Sequence, residues 1–200
     1  MPVGTGANRK FLELELIDRD FTLSWRDIEA SRKLGLPLEL GPAAVASAAC
    51  ARKEDRMILD GLLKAANRKV TLGDWSEAGS AFASIVEATE KLVSDDSYGA
   101  YAVVLSPALY ARTQRVAKEM GRLESKLIKD IAKGGLFRSP ILDADQGLVV
   151  SLGAYNFDLA VAQDLIVAYV GNEGPDHLYR VIESLVLRVK RPGAICKLEK

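Results

Sequence analysis

The sequence predicts an α+β fold, built as one domain or as two intimate subdomains. Segments with helical periodicity are mixed with segments that have the two-residue periodicity of strands, without the regular strand–helix–strand rhythm of a parallel α/β sheet. Of the 200 residues, 48% are hydrophobic, and a chain of this length buries roughly 70% of its unfolded surface. A sizeable core is therefore available, and no internal repeat or low-complexity linker divides the chain.

The longest strand signals lie within residues 155–192. Over residues 157–161, large apolar side chains alternate with Asp158 and Ala160, which predicts a strand with one buried face. Residues 165–170 are apolar on both faces and therefore predict a central strand. After several turn-forming residues, a third strand is expected over 179–189.

The N-terminal third predicts an extended segment followed by two helices. Alternation over residues 10–23 is typical of an exposed strand or arm. Ser24 has the side chain of an N-cap, so a short helix is expected from Trp25 to about Lys33. Pro42 stands at the first turn of the strongest helical pattern, which covers residues 43–66.

The middle of the chain alternates helices and short strands. Asp74 with Glu77 three residues later forms a capping-box pattern, which predicts a helix that continues to about Val93. The remaining predicted elements are a strand at 101–105, a helix at 107–120 capped by Ser106, a helix at 124–133, and strands at 136–142 and 147–152.

Composition excludes several classes of partner and compartment. Lys plus Arg and Asp plus Glu both number 27, and no basic run stands out, so nucleic acid is not expected as a partner. Cys50 and Cys196 lie far apart, which favours reduced thiols over a disulfide. The N-terminus lacks the apolar core of a signal peptide, and no apolar run approaches about 18 residues, so we expect no membrane segment. The sequence predicts a cytoplasmic protein.

Residues that carry chemistry are sparse. His177 is the single histidine, which excludes paired Glu-x-x-His ligands and gives no support for a catalytic triad. Cys-x-x-Cys, phosphate-binding and dinucleotide-binding motifs are absent. The acidic pairs, such as Asp143 with Asp145, occur at predicted turns, where Asp bonds its own backbone. We therefore predict no catalytic residue, no metal site and no cofactor.

Several spaced motifs carry a family resemblance. They are Phe21-Thr22-Leu23-Ser24, Glu54-Asp55 with Ile58 and Gly61, Gly134-Gly135, a Gln163-Asp164-Leu165 turn before a strand that ends in Tyr169, and Arg191-Pro192-Gly193-Ala194. Their order over about residues 10–198 resembles that of encapsulin shell proteins.

The resemblance implies the fold of tailed-phage capsid proteins, with peripheral and axial subdomains. Residues 1–19 would be an N-terminal arm that remains from the family's extended loop, and 20–69 a peripheral domain with the spine helix. Residues 70–157 would form the axial domain, and 158–200 would return strands to the peripheral domain. The family's N-terminal helix and most of its extended loop are expected to be missing.

The resemblance also implies a structural function. It predicts a shell subunit that self-assembles and encloses a cargo enzyme, such as a ferritin-like protein or a peroxidase. The alternative is a truncated relative that forms a small homo-oligomer and acts as a binding module. An enzyme is disfavoured because no catalytic constellation is present.

Three groups of residues are expected to act in such an assembly. The cargo groove would include Tyr169, Leu178 and Val186. The pore loop near a symmetry axis would contain Lys118, Met120, Gly121, Arg122 and Leu123. The subunit interface would contain Phe11, Leu12, Leu14, Leu16 and Trp25, because an arm with alternating leucines exposes an apolar edge unless a neighbouring chain covers it.

Overall fold

The computed structural model describes residues 11–117 and 121–200. These residues belong to two compact units, one that ends at Ala51 and includes Leu159–Arg188, and one that contains Arg52–Asp158 and Val189–Lys200. The elements are β1 (Glu15–Leu23), α1 (Trp25–Leu34), α2 (Gly41–Ala65), β2 (Arg68–Thr71), α3 (Ser80–Val93), β3 (Tyr101–Leu105), α4 (Pro107–Arg112), β4 (Val116–Ala117), β5 (Arg122–Leu123), α5 (Glu124–Ile131), β6 (Gly135–Arg138), β7 (Gly147–Ser151), β8 (Phe157–Glu173), β9 (Asp176–Val189), a 3₁₀ turn (Pro192–Ala194) and β10 (Ile195–Glu199). This mixture of helices and strands confirms the α+β class.

The first unit contains a three-stranded sheet in the order β1-β9-β8. β1 runs antiparallel to β9, with Phe21 opposite Tyr179, and the two rings stack with centroids 5.5 Å apart. Alternate residues of β1 and β9 are buried on this face, including Ile17 and Val181. The thiol of Cys50 on α2 lies 3.9 Å from the carbonyl oxygen of Val181, so α2 begins against the buried face of the sheet.

Charged side chains join β1 to β9 on the opposite face. Arg180 donates from Nε and Nη2 to the two carboxylate oxygens of Asp20, at 2.5 and 2.8 Å. This bidentate bond lowers the pKa of the Asp20 carboxyl group. The pair is exposed, so its main effect is to fix the register of the two strands.

The second unit is built on a five-stranded sheet in the order β2-β10-β7-β3-β6. β7 pairs antiparallel with β3 and with β10, while the outer strands β2 and β6 pair in parallel. The core of this unit contains large buried side chains from α3, from α5 and from one face of the sheet. Among them are Val70, Ile85, Leu92, Val103, Leu105, Ile128, Val149 and Leu198.

The unit boundaries differ from those expected at 70–157 and 158–200. β10 lies between β2 and β7 because Ile195, Cys196 and Leu198 are completely buried apolar residues, which is typical of an inner strand. The C-terminal strand therefore belongs to the same unit as most of the predicted axial domain. The terms peripheral and axial describe positions in an assembly and stay predictions.

Local signals placed the ends of α1 correctly. The Ser24 hydroxyl accepts a hydrogen bond from the backbone N–H of Arg26 at 3.2 Å, and Gly35 closes the helix in the left-handed conformation with φ +65°. The predicted helix at 43–66 is also present, as α2.

The prediction that a helix begins beside Asp74 was wrong. The Asp74 carboxylate accepts from the backbone N–H and the hydroxyl of Ser76, at 2.8 and 2.6 Å, which makes a local turn instead of a helix cap. Trp75 is buried and its Nε1 donates to Ser84 Oγ at 3.0 Å. α3 therefore begins only at Ser80.

The helix predicted over 107–120 is also shorter than expected. Ser106 caps its start, but α4 ends at Arg112. The Thr113 hydroxyl donates to the Tyr110 carbonyl at 2.7 Å, and the Thr113 carbonyl accepts from the N–H of Ser125. These bonds turn the chain toward α5 and leave the short ribbon of β4 and β5.

The strand signals at 157–161 and 165–170 belong to one strand. β8 runs without interruption from Phe157 to Glu173, so the expected turn at Gln163-Asp164 was wrong. The expected central position of 165–170 was also wrong, because β8 is an edge of its sheet. β9 is the central strand instead.

A buried carboxylate from another helix completes the N-terminus of α3. Its N-cap, Gly79, has no side chain to offer. Glu124, at the start of α5, is 1% exposed and accepts from the backbone N–H of Phe82 at 3.1 Å. The first N–H groups of a helix lack partners and carry partial positive charge, so a carboxylate there is stabilising.

We predict that Glu124→Ala lowers the free energy of unfolding by about 1–3 kcal/mol, because it leaves a partly buried N–H without a partner. Chemical denaturation followed by circular dichroism measures this change. The control is Glu90→Ala on the exposed face of α3, which should change stability by less than about 0.5 kcal/mol. Equal denaturation midpoints for the two variants would contradict the capping role.

Candidate functional site

Residues 165–170 of β8, here called the β8 edge, form an exposed apolar strand edge. Val167 is 54% exposed and Tyr169 is 55% exposed, and Leu165, Ile166 and Val170 are exposed to a similar degree. The exposed apolar side chains are at both odd-numbered and even-numbered positions, so both faces of this strand expose apolar side chains to solvent. No charged residue occurs between Leu165 and Asn172.

The other edge of the same sheet is protected. Asp18, Arg19 and Asp20 place charges along β1, and Asp20 pairs with Arg180. Charged residues on an edge strand oppose pairing with a further strand, because pairing would desolvate them. The β8 edge has no such protection, so of the two edges it is the one suited to contact another chain.

The predicted subunit interface is also exposed. Phe11 is 91% exposed, and Leu12, Leu14 and Leu16 are exposed as well. Only Leu16 lies in a strand, opposite Ser184. Trp25 is exposed at the start of α1, where its backbone N–H donates to the Asp176 carboxylate at 3.0 Å. These five side chains are apolar, and the residues that the structure describes leave them exposed.

The three predicted cargo-groove residues do not share one face of the sheet. Leu178 and Val186 are even-numbered residues of β9 and are half-buried. The Tyr169 ring instead contacts odd-numbered residues of β9, with its centroid 5.3 Å from that of Tyr179 and 5.9 Å from that of His177. Successive side chains of a strand point to opposite faces, so Tyr169 is separated from the other two.

The predicted pore loop is described only in part. Lys118 and Met120 lie outside the described residues. Gly121 has φ +61°, and Arg122 and Leu123 form β5, which pairs with β4. Arg122 is exposed and donates to the Asp130 carboxylate at 2.9 Å.

The candidate site contains many apolar side chains that are suited to contact another chain and few side chains that are suited to catalysis or metal binding. Tyr169 Oη lies 3.3 Å from His177 Nδ1 and donates to the Asn172 side-chain oxygen, so the histidine belongs to an exposed aromatic cluster. Within residues 11–117 and 121–200, no group of three or more His, Cys, Asp or Glu side chains is arranged to hold a metal ion.

Both thiols are buried. Cys50 lies beneath the first sheet and Cys196 lies inside the second. Burial raises the pKa of the Cys196 thiol to about 11, because a thiolate there would lose its solvation.

Comparison with known proteins gives the family. A family model described as "Encapsulating protein for peroxidase" matches residues 4–186. The type 1 encapsulin shell protein EncA of Myxococcus xanthus is 45% identical to this chain over an alignment 200 residues long. The alignment covers 96% of this chain and 70% of that protein. The chain belongs to the encapsulin shell protein family. The resemblance inferred from the ordered motifs is thereby confirmed.

Solved structures show the same fold for this encapsulin-family chain. The virus-like particle from Pyrococcus furiosus matches with a TM-score of 0.86 and 21% identity, over 95% of this chain and 78% of that chain. The capsid of Myoviridae phage XM1 matches with a TM-score of 0.60 and 12% identity, over 93% of this chain and 73% of that chain. These similarities confirm the capsid-like fold.

Membrane crossing by a helix is not indicated for this encapsulin-family chain. In the part of the chain that the structure describes, every helix is too short or too polar to span a bilayer.

The sequence predicted that the arm is exposed but did not predict that residues 165–170 are an exposed strand edge. The arm was found because alternation is visible in a local window. The β8 edge was missed because a strand that is apolar on both faces has the same pattern whether its own chain or another chain covers it. The contrast in charge between β1 and the β8 edge was the available signal.

We predict that a thiol reagent such as DTNB modifies neither cysteine of the native protein at pH 8 and modifies both after unfolding. With a pKa of about 11, about one Cys196 thiol in a thousand is ionised at that pH, and the thiolate is the reactive form. Val161→Cys, which introduces an exposed thiol, is the positive control and should react within minutes. Rapid reaction of the native wild-type protein would show that the thiols are accessible.

Proposed function

We propose that this chain is a structural shell subunit of an encapsulin-type nanocompartment, which assembles from copies of itself and encloses a cargo enzyme. The observation that carries the proposal is the exposed apolar surface of the β8 edge and the arm at residues 11–16. Family membership supports the same conclusion.

The physical argument concerns exposed strand edges. Unpaired backbone groups flanked by apolar side chains promote indiscriminate association. Soluble proteins cover or charge such edges, and in the first sheet β1 carries charges along its edge whereas residues 165–170 of β8 carry none. In a symmetric assembly, the same surface of every copy is covered by a defined contact with a neighbouring copy. The apolar edge is then no longer available for nonspecific aggregation.

The enclosed cargo would be an enzyme of the kind that the family description names, a peroxidase. Leu178 and Val186 share a face of β9 and offer half-buried apolar contacts for an extended peptide segment. Tyr169 contacts the other face of β9, so its predicted part in the groove requires a peptide that passes around the strand edge. The cargo groove stays a prediction.

The pore loop also stays a prediction. Gly121 directly precedes β5, in which Arg122 and Leu123 pair with β4, and Arg122 is exposed. At a symmetry axis, the exposed Arg122 would line the opening together with its ion-pair partner Asp130.

We expect the purified shell to have no hydrolytic or redox turnover of its own. The single histidine stands against an aromatic ring, and no thiol is accessible. Assays with chromogenic esters and with hydrogen peroxide plus a dye should give rates equal to buffer. An activity that persists through purification and disappears in His177→Ala would contradict this expectation.

The assembly proposal is tested by the triple variant Leu12→Ser, Leu14→Ser, Leu16→Ser. Each buried leucine contributes about 1.5–3 kcal/mol, so removal of three from a repeated contact should shift the protein to smaller species with an intact core. Size-exclusion chromatography with light scattering gives the mass, and circular dichroism verifies the fold.

The matched control changes the same three leucines to isoleucine, which keeps the apolar area and should leave the mass of the assembly unchanged. An unchanged elution volume for the serine variant would show that the arm does not hold the assembly together. A wild-type protein of two to six chains would favour a small oligomer over a closed shell.

A further inference from the structure

We propose that the β8 edges of two copies pair antiparallel with each other around a two-fold axis at Ala168. This contact joins two three-stranded sheets into one continuous six-stranded sheet. The inference rests on the proposed function, because it names the partner of the exposed edge within the assembly.

The chemistry of the edge requires another strand. Among the described residues, β8 is hydrogen-bonded to a strand on one side only, β9, so its outer N–H and C=O groups face away from the sheet. Those groups are spaced to match an extended chain. A helix or a folded loop cannot satisfy them in sequence.

Charge favours the same strand of a second copy over the arm. Glu13 and Glu15 flank Leu14 in the arm, and they would be desolvated against a strand that contains no cation between Leu165 and Glu173. From Leu165 to Asn172, β8 contains no acidic or basic side chain. Two copies of this strand therefore meet without unpaired charges in the centre of the contact.

Symmetry restricts the possible registers. A two-fold axis perpendicular to the sheet continues each face of one sheet into the same face of the other, so opposed residue numbers must have the same parity. Centring at Ala168 places Ile166 opposite Val170 and Val167 opposite Tyr169. These are the β-branched and aromatic cross-strand pairs that stabilise sheets most.

Ala168, a small residue, lies on the proposed two-fold axis, where each copy places it opposite the Ala168 of the other copy. Ala168 is less exposed than the flanking Val167 and Tyr169, and its methyl group allows identical side chains to face each other across the axis. Asp164 falls outside the central pairs, four residues from the axis, so its carboxylate stays at the rim with solvent access.

The paired β8 edges alone are too small to form a stable interface between two copies. A stable two-chain interface buries about 800 Å² on each partner, and six edge residues supply only part of that area. The pairing therefore acts together with other contacts between copies, such as that of the arm, so that each raises the effective concentration for the others.

Ala168→Cys tests the register directly in the full chain. Opposed residues of antiparallel strands have Cα atoms about 4.5–5.5 Å apart, which is within disulfide reach. After mild oxidation, non-reducing gel electrophoresis should show most of the protein as a covalent dimer. The native thiols of Cys50 and Cys196 are buried, so the wild-type protein should remain monomeric on the gel.

Two further variants fix the geometry. Ile166→Cys alone should stay monomeric, since the two thiols would be separated by four residues along the strands, about 13 Å. Ile166→Cys combined with Val170→Cys should form the dimer. Val161→Cys is the exposed control and should not cross-link, because its partner copy would lie about 46 Å away.

The outcomes separate this inference from the proposed function. Particle mass is measured on the same samples before oxidation. Shell-sized particles with no Ala168→Cys dimer would overturn the pairing and leave the shell function intact. Efficient cross-linking in a species of only two chains would support the pairing and contradict the shell. Cross-linking of Val161→Cys to the same extent would overturn the pairing, because it would indicate random collision.

Discussion

The structure depends on how the three strands of the first sheet satisfy their backbone hydrogen bonds. β9 is paired on both sides, with nine residues opposite β1 and with β8 on the other side. Within residues 11–117 and 121–200, no strand lies on the outer side of β8. An apolar strand edge is unfavourable in water, so we propose that a strand of another copy covers it. Self-assembly is expected of the encapsulin family, and the β8 edge offers a physical reason for it.

The two edges of the sheet show how the sequence directs that assembly. β1 carries charges that oppose pairing and that fix its own register through Arg180 and Asp20. The β8 edge carries none. Combined with an arm whose leucines lie in solvent, this asymmetry leaves two exposed apolar surfaces and one charged edge in the first unit. The five-stranded sheet of the second unit carries a buried core that includes Cys196.

Local rules predicted the elements that local bonds determine. Ser24 and Gly35 fix the ends of α1 through neighbours in sequence, so both could be predicted. The start of α3 could not, because its capping group is Glu124, 42 residues beyond Phe82. The exposed position of residues 165–170 could not be predicted from hydrophobicity either, since a strand that is apolar on both faces has the same sequence pattern at the edge and at the centre of a sheet. The ordered family motifs supplied the fold that periodicity alone left open.

The most direct test of the central claim is the mass and shape of the purified wild-type particle, measured by mass photometry and electron microscopy. A shell subunit of 21.7 kDa should give hollow particles of uniform diameter and a narrow mass peak of many subunits. A single stable peak at the mass of one chain, with no particles in the images, would contradict the claim that the exposed edge and arm exist to join copies of this chain.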